Sequence, residues 1–242
     1  MPFPRAALLP LLCLPAAALA SEPAYLAGDR FIYERVVQDA AGQETRRLEV
    51  VWEVLESTVT GHRIRIVEDP AGEALAVVWD FDRDHNALAQ ELGHCRTTSE
   101  PNAGRYRWPM TTDSAWIATY DVVQYCRYES LETKPQARCE VSAKVVAQGT
   151  YDGLQSAVPA IAIERVVTCM GPSGDAAGGA AVRWEKELLC PTLGVRCGYE
   201  YDWITFGPGQ ATPTVLGAYR DLPEAQSFSG RVTETIRDIQ LQ

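Results

Sequence analysis

Apolar and polar residues alternate along most of this chain. The alternating runs are short and are separated by Gly, Pro, Asp and Asn. A period of two is the mark of a strand with one buried face. Residues 31–37 form a first strand after Gly28-Asp29. In 45–56, Leu48, Val50, Trp52 and Val54 share one face, with Arg47, Glu49 and Glu53 on the other. Leu48, Val51, Trp52 and Leu55 also have helical spacing, but the β-branched content selects a strand. In 62–68, Ile64 and Ile66 alternate with Arg63 and Arg65, and Pro70-Ala71-Gly72 then makes a turn. Leu75, Val77, Trp79 and Phe81 line one side of a strand over 74–81.

The pattern lapses from Asp82 to Pro109, which reads as irregular and loop-rich. It resumes in a long strand, 115–128, carrying Trp116, Ala118, Tyr120 and Val122 on one face. Residues 138–148 answer with Val141, Ala143, Val145 and Ala147. Strands at 158–168, 181–190 and 195–204 follow, with a Gly- and Ser-rich loop at 171–179. The end, 231–241, fits a strand or a short helix. Short connections and few helical stretches predict an all-β or mainly β protein: one antiparallel sheet, curved into a half-barrel, closed into a barrel, or folded as a sandwich. No linker or fixed-period repeat divides residues 21–242, which read as one domain.

Residues 1–20 read as a secretory signal. Arg5 gives a positive n-region, Ala6–Leu14 an apolar core, and Ala18-Leu19-Ala20 a small-x-small cleavage pattern. The apolar run is too short to span a bilayer, and no later segment is apolar enough to be a transmembrane segment. Cys13 raises the question of lipidation, but Leu12 stands before it where a small residue is usual. The formal net charge of −10 becomes −11 once Arg5 is removed. An acidic chain argues against nucleic acid and anionic membranes as partners.

Six cysteines remain: Cys95, Cys126, Cys139, Cys169, Cys190 and Cys197. An even number in an exported chain reads as a disulfide set, for the periplasm or outside the cell. Placing Cys126 opposite Cys139 also pairs Gln124 with Val141, Val122 with Ala143 and Tyr120 with Val145, bringing the apolar residues to one side. Placing Cys190 opposite Cys197 pairs Leu188 with Tyr199, Lys186 with Tyr201 and Trp184 with Trp203, across a Pro191–Gly194 turn. Cys95 and Cys169 remain as a third pair by elimination.

Candidate chemistry is sparse. Asp80, Asp82, Asp84 and Glu91 fall at positions 1, 3, 5 and 12 of a run, the ligand spacing of a calcium loop. His85 stands where that loop needs Gly, and a strand precedes it where an EF-hand has a helix. His62, His85 and His94 have no metal-ligand spacing. Gly171-Pro172-Ser173-Gly174 is not a nucleophile elbow, and Gly207-Pro208-Gly209 lacks the Lys of a phosphate loop. Catalysis and a cofactor are therefore not expected. Trp52, Trp79, Trp108, Trp116, Trp184 and Trp203 suit either core packing or a ligand groove.

Several short motifs occur in a familiar order. Gly28-Asp29-Arg30-Phe31-Ile32-Tyr33 resembles the GDxWxY opening of a broad group of bacterial periplasmic proteins with no agreed activity. Trp79-Asp80-Phe81-Asp82 resembles their WDxDGN turn. Trp108-Pro109-Met110 with Ser114-Ala115-Trp116 resembles FPLxxGxxW, and Leu189–Val195 resembles WYxPxLGxV. His85 replaces a turn Gly of that pattern, and Val158-Pro159-Ala160 lacks a following Gly. The resemblance implies a curved half-barrel like that of periplasmic lipoprotein carriers. It also implies an apolar ligand, lipid or lipoprotein part on the concave face. The alternatives are a structural or protein-interaction module, or a hydrolase whose site assembles only in three dimensions.

Overall fold

The computed structural model describes residues 26–71, 75–126, 135–171, 180–206 and 229–242. The signal at 1–20 and most of the 171–179 loop lie outside them. The strands are β1 (Arg30–Asp39), β2 (Glu44–Thr58), β3 (Gly61–Glu68), β4 (Leu75–Asp82), β5 (Ala87–Leu92) and β6 (Cys95–Glu100). They continue with β7 (Ala115–Cys126), β8 (Pro135–Tyr151), β9 (Val158–Met170), β10 (Ala180–Cys190), β11 (Val195–Phe206) and β12 (Gly230–Gln240). Each pairs antiparallel with the next, and β12 pairs with β1. The sheet is thus a closed twelve-strand barrel, not the half-barrel or sandwich among the expectations. Closure leaves no unpaired edge. Asp29 latches the seam: its carboxylate accepts the backbone N–H of Leu26 at 2.6 Å and of Gln242 at 2.8 Å.

Inward and outward positions follow the pleat. Leu48, Val50, Trp52 and Val54 are buried. Outward positions carry ion pairs such as Arg65–Glu53 and Lys144–Glu164. A bilayer-spanning barrel carries an apolar band there. Two apolar clusters fill part of the interior. One gathers Phe31, Tyr33, Val50, Trp52 and Ile236; the other gathers Trp116, Val141, Ile161, Ile163 and Leu189 with Met110.

The region expected to be irregular contains β5 and β6, short strands with little apolar alternation. Their presence changes the disulfides. Cys95 faces Cys126 across β6 and β7, and Cys139 faces Cys169 across β8 and β9; each pair is bonded. The expected Cys126–Cys139 and Cys95–Cys169 pairs are therefore corrected. On β7 and β8, Val141 faces Ala118 and Cys139 faces Tyr120. This differs from the expected register by an even number of positions, so the same faces point inward either way and alternation could not separate the two.

Cys190–Cys197 is bonded as expected. Its strand register is not. A bulge after Leu188 leaves Cys190 opposite Val195 and Leu188 opposite Gly198. Beyond it, Glu187 faces Tyr199, Glu185 faces Tyr201 and Arg183 faces Trp203. The shift is by one, so the charged residues of β10 turn inward with the tyrosines. Gly194, at φ 68°, makes the turn.

Peptide mapping of the unreduced protein should recover Cys95–Cys126, Cys139–Cys169 and Cys190–Cys197; a Cys126–Cys139 peptide would contradict this barrel. Replacing Cys139 and Cys169 together by Ala should lower stability by about 2–4 kcal/mol in a denaturant titration.

Candidate functional site

The connection between β6 and β7, residues 101–114, folds into the barrel. It begins on a cis peptide at Glu100–Pro101 and has a second at Trp108–Pro109. The Asp82 carboxylate accepts from the Asn102 side chain at 3.1 Å and from the N–H groups of Asp84 and Asn86. Asn86 in turn accepts the Tyr106 N–H at 2.8 Å. The Trp116 indole donates to the Gly104 carbonyl at 2.9 Å. Gly104 has φ 56°, and a Cβ there would lie 2.3 Å from that of Ala118, so only glycine fits. The result is to deliver Arg105 and Tyr106 into the lumen.

There they meet β9 and β10. Arg105 grips the Glu185 carboxylate with both terminal nitrogens, at 3.2 and 2.5 Å. Arg165 donates to Glu187 at 2.5 Å and to the Arg105 carbonyl at 3.0 Å. The Tyr106 hydroxyl donates to Glu187, and the Arg165 guanidinium lies 4.7 Å from the Tyr106 ring centre. Arg183 is the third cation; its Nε lies 2.6 Å from Glu185 but out of hydrogen-bonding alignment. This group holds three guanidiniums against two carboxylates. A second group is balanced: Arg35 pairs with Glu68 and Glu234, and Arg196 pairs with Glu234 at 2.6 Å. Arg196 also lies over the rings of Trp52 and Tyr199, at 4.5 and 4.2 Å.

These contacts set the charges. Burial alone would raise Glu185, but the Arg105 and Arg183 guanidiniums outweigh it and hold the carboxyl well below its usual range. Burial opposes ionisation of Glu187 too, and Arg165 and Arg105 again prevail. Burial and the Glu185 charge push the Tyr199 phenol up to about 12. His85 lies with its ring 5.5 Å from that of His62. Burial and His62 push it down to about 4, while Glu187 pulls the other way.

A cavity of about 350 Å³ adjoins these groups. Ile64, Ile66, Val77, Trp79 and Phe81 form an apolar wall from β3 and β4. Arg105, Arg183, Arg196, Tyr199 and Tyr201 form a cationic and aromatic wall opposite in kind. The volume falls in the range of small-molecule sites, roughly 300–1,000 Å³.

The calcium-spaced carboxylates are not gathered. Asp80 pairs with Arg96 at 2.7 Å, Glu91 pairs with Arg63 at 2.8 Å, and Asp82 caps the turn and holds Asn102. Asp84 lies 4.0 Å from Arg83. Among the described residues, the donor group close enough for one ion is His94, Cys95 and Cys126, whose cysteines are joined to each other. Of the six tryptophans, Trp52 and Trp79 line the cavity. Arg183, Glu185, Glu187, Arg196 and Glu234 had no signal beyond charged positions within the strands β10, β11 and β12, and Arg105 lies in the stretch where no pattern was read.

No family model matches this chain, and neither does any curated protein. Solved structures are similar in the course of the chain. An exported protein of YmcC-like fold from Bacteroides fragilis is 13% identical, with TM-score 0.45, covering 90% of this chain and 97% of its own. The lipoprotein YmcC from Escherichia coli is 10% identical, with TM-score 0.43, covering 88% and 85%. A lipoprotein from Parabacteroides distasonis is 8% identical, with TM-score 0.36, covering 90% and 97%. At these identities no residue role passes to this chain.

Two measurements test the electrostatics. Arg165→Met should cost about 3–5 kcal/mol in a denaturant titration, because it strips a buried carboxylate of its closest cation. Arg165→Met with Glu187→Leu should recover part of that loss. His85 has a folded pKa below its unfolded one, so the unfolded chain binds a proton that the folded chain refuses. Its contribution is full above 6.5 and is lost as pH falls towards about 4. Melting temperature should therefore drop across that window, and His85→Asn, which tolerates the φ of 66° at this position, should flatten the drop.

Proposed function

We propose that this protein is an exported binding protein, periplasmic or secreted, that holds a small amphipathic molecule inside its barrel and catalyses no reaction on it. The cavity carries this reading: an apolar wall of Ile66, Val77, Trp79 and Phe81 shares one space with guanidiniums and phenols. Ligand sites combine a mostly apolar lining with a few placed polar groups. The three disulfides fit an oxidising compartment outside the cytoplasm. The expected concave apolar face becomes, in a closed sheet, a lumen.

Binding rather than turnover is supported by the state of the titratable groups. A general acid or base works best with a pKa near the operating pH. Glu185 and Glu187 are held down by guanidiniums, and Tyr199 is pushed up to about 12. His85 stays neutral. Each is fixed in one protonation state around pH 7.

The test is fluorescence titration of the purified mature protein with N-phenyl-1-naphthylamine, a neutral apolar probe, backed by native mass spectrometry. Saturable one-to-one binding is expected. Val77→Trp, which fills the lumen, should weaken it by about tenfold or more while the melting temperature holds. Absence of saturable binding, or binding unaffected by Val77→Trp, would overturn the reading.

A further inference from the structure

We infer that the ligand of the lumen is a monoanionic amphiphile, a carboxylate whose head is gripped by Arg183 and whose apolar tail lies along the β3–β4 wall. This rests on the proposed lumen-binding function and adds the chemical class of the ligand.

Three observations meet at Arg183. First, charge: the group around Glu185 and Glu187 contains one more guanidinium than carboxylate, and the second group is balanced. The excess charge lies beside the cavity, and an anion of charge one would balance it. Second, commitment: Arg105 gives both terminal nitrogens to Glu185, and Arg165, wholly enclosed, gives Nη1 to Glu187 and Nε to the Arg105 carbonyl. Arg183 directs only its Nε at Glu185, and its two terminal nitrogens have no protein partner among the described residues. Third, access: the Arg183 side chain is 39% exposed, against 16% for Arg105 and 0% for Arg165. Arg183 lines the cavity, so part of that surface faces the lumen.

A guanidinium with both terminal nitrogens free presents a planar fork that matches the two oxygens of a carboxylate. The Tyr201 ring, 5.2 Å from the Arg183 carbon, supports that fork from the side. Trp79, Phe81, Val77 and Ile66 complete the same cavity with a surface suited to an alkyl or aromatic tail. A single excess charge favours a carboxylate over a phosphate monoester, which carries about −1.5 to −2 at pH 7.

The experiment compares decanoate, decyl phosphate and decanol by isothermal titration calorimetry and by displacement of the neutral probe. Decanoate should bind tighter than decanol by about tenfold or more, consistent with a charge-assisted pair. Arg183→Met should remove that preference while decanol still binds and the far-UV circular dichroism spectrum stays that of the parent, even where the melting temperature falls with the loss of a cation beside Glu185. Arg183→Lys, which keeps the charge but not the fork, should keep part of it. Equal binding of decanoate and decanol, or a preference that survives Arg183→Met, would overturn the carboxylate assignment while leaving the lumen site standing. Tighter binding of decyl phosphate than decanoate would overturn the carboxylate in favour of a phosphate head. If the neutral probe and decanol both fail to bind, it is the lumen-binding reading that falls.

Discussion

The structure depends on a salt-bridge cluster buried inside the barrel. Glu185 and Glu187 are fully enclosed, and so is Arg165. Removing such ions from water costs several kcal/mol each, and only well-made ion pairs and hydrogen bonds offset it. That requirement reaches far along the chain. Arg105 must arrive from the connection between β6 and β7, Arg165 from β9, and the carboxylates from β10. The Asp82, Asn86 and Asn102 turn, the glycine at 104 and the Trp116 indole all serve to hold that connection at one depth. A displaced Arg105 would leave Glu185 short of its bidentate partner, so the inserted segment and the barrel wall specify each other.

The same cluster explains why β10 carries its charges inward. The bulge at Cys197 changes the parity of β11 and turns Tyr199 and Tyr201 to the side of Arg183, Glu185 and Glu187. The disulfide at Cys190–Cys197 spans that bulge. On β10 itself, Glu187 and Glu185 continue the inward face of Leu189, paired without a break against Ile163 and Arg165 of β9. One extra residue in β11 therefore sets Tyr199 and Tyr201, rather than Glu200 and Asp202, against the charged face of β10.

Much of the wall was legible from alternation alone. β2, β4, β7 and β8 have one apolar face each, and Trp52, Trp79, Trp116 and Val141 point inward as their spacing implies. Three things were not legible. β5 and β6, with Ala87-Leu88-Ala89-Gln90 and Arg96-Thr97-Thr98, have too few apolar residues to show a period, and Cys95 lost its true partner with them. The β7–β8 register slid by an even step, which the pleat cannot detect. Closure itself depends on β12 reaching β1, a contact between the two ends of the described chain. The candidate site was the least legible part. Arg183-Trp184-Glu185-Lys186-Glu187-Leu188 alternates charge with mixed residues on both faces, so hydrophobicity gives no reason to turn either face inward.

A lumen built this way resists collapse. An apolar cavity shrinks when neighbouring side chains relax into it, because lost contacts are regained. Here one wall carries two guanidiniums already bound to fixed partners. Arg196 is clamped between Glu234 and the rings of Trp52 and Tyr199, and Arg105 is clamped on Glu185. Moving either towards Trp79 and Phe81 would break ion pairs to gain dispersion contacts, a poor exchange in a low dielectric. The ion pairs thus hold the charged wall away from the apolar one. The space between them, about 350 Å³, persists because the two walls have chemically incompatible needs.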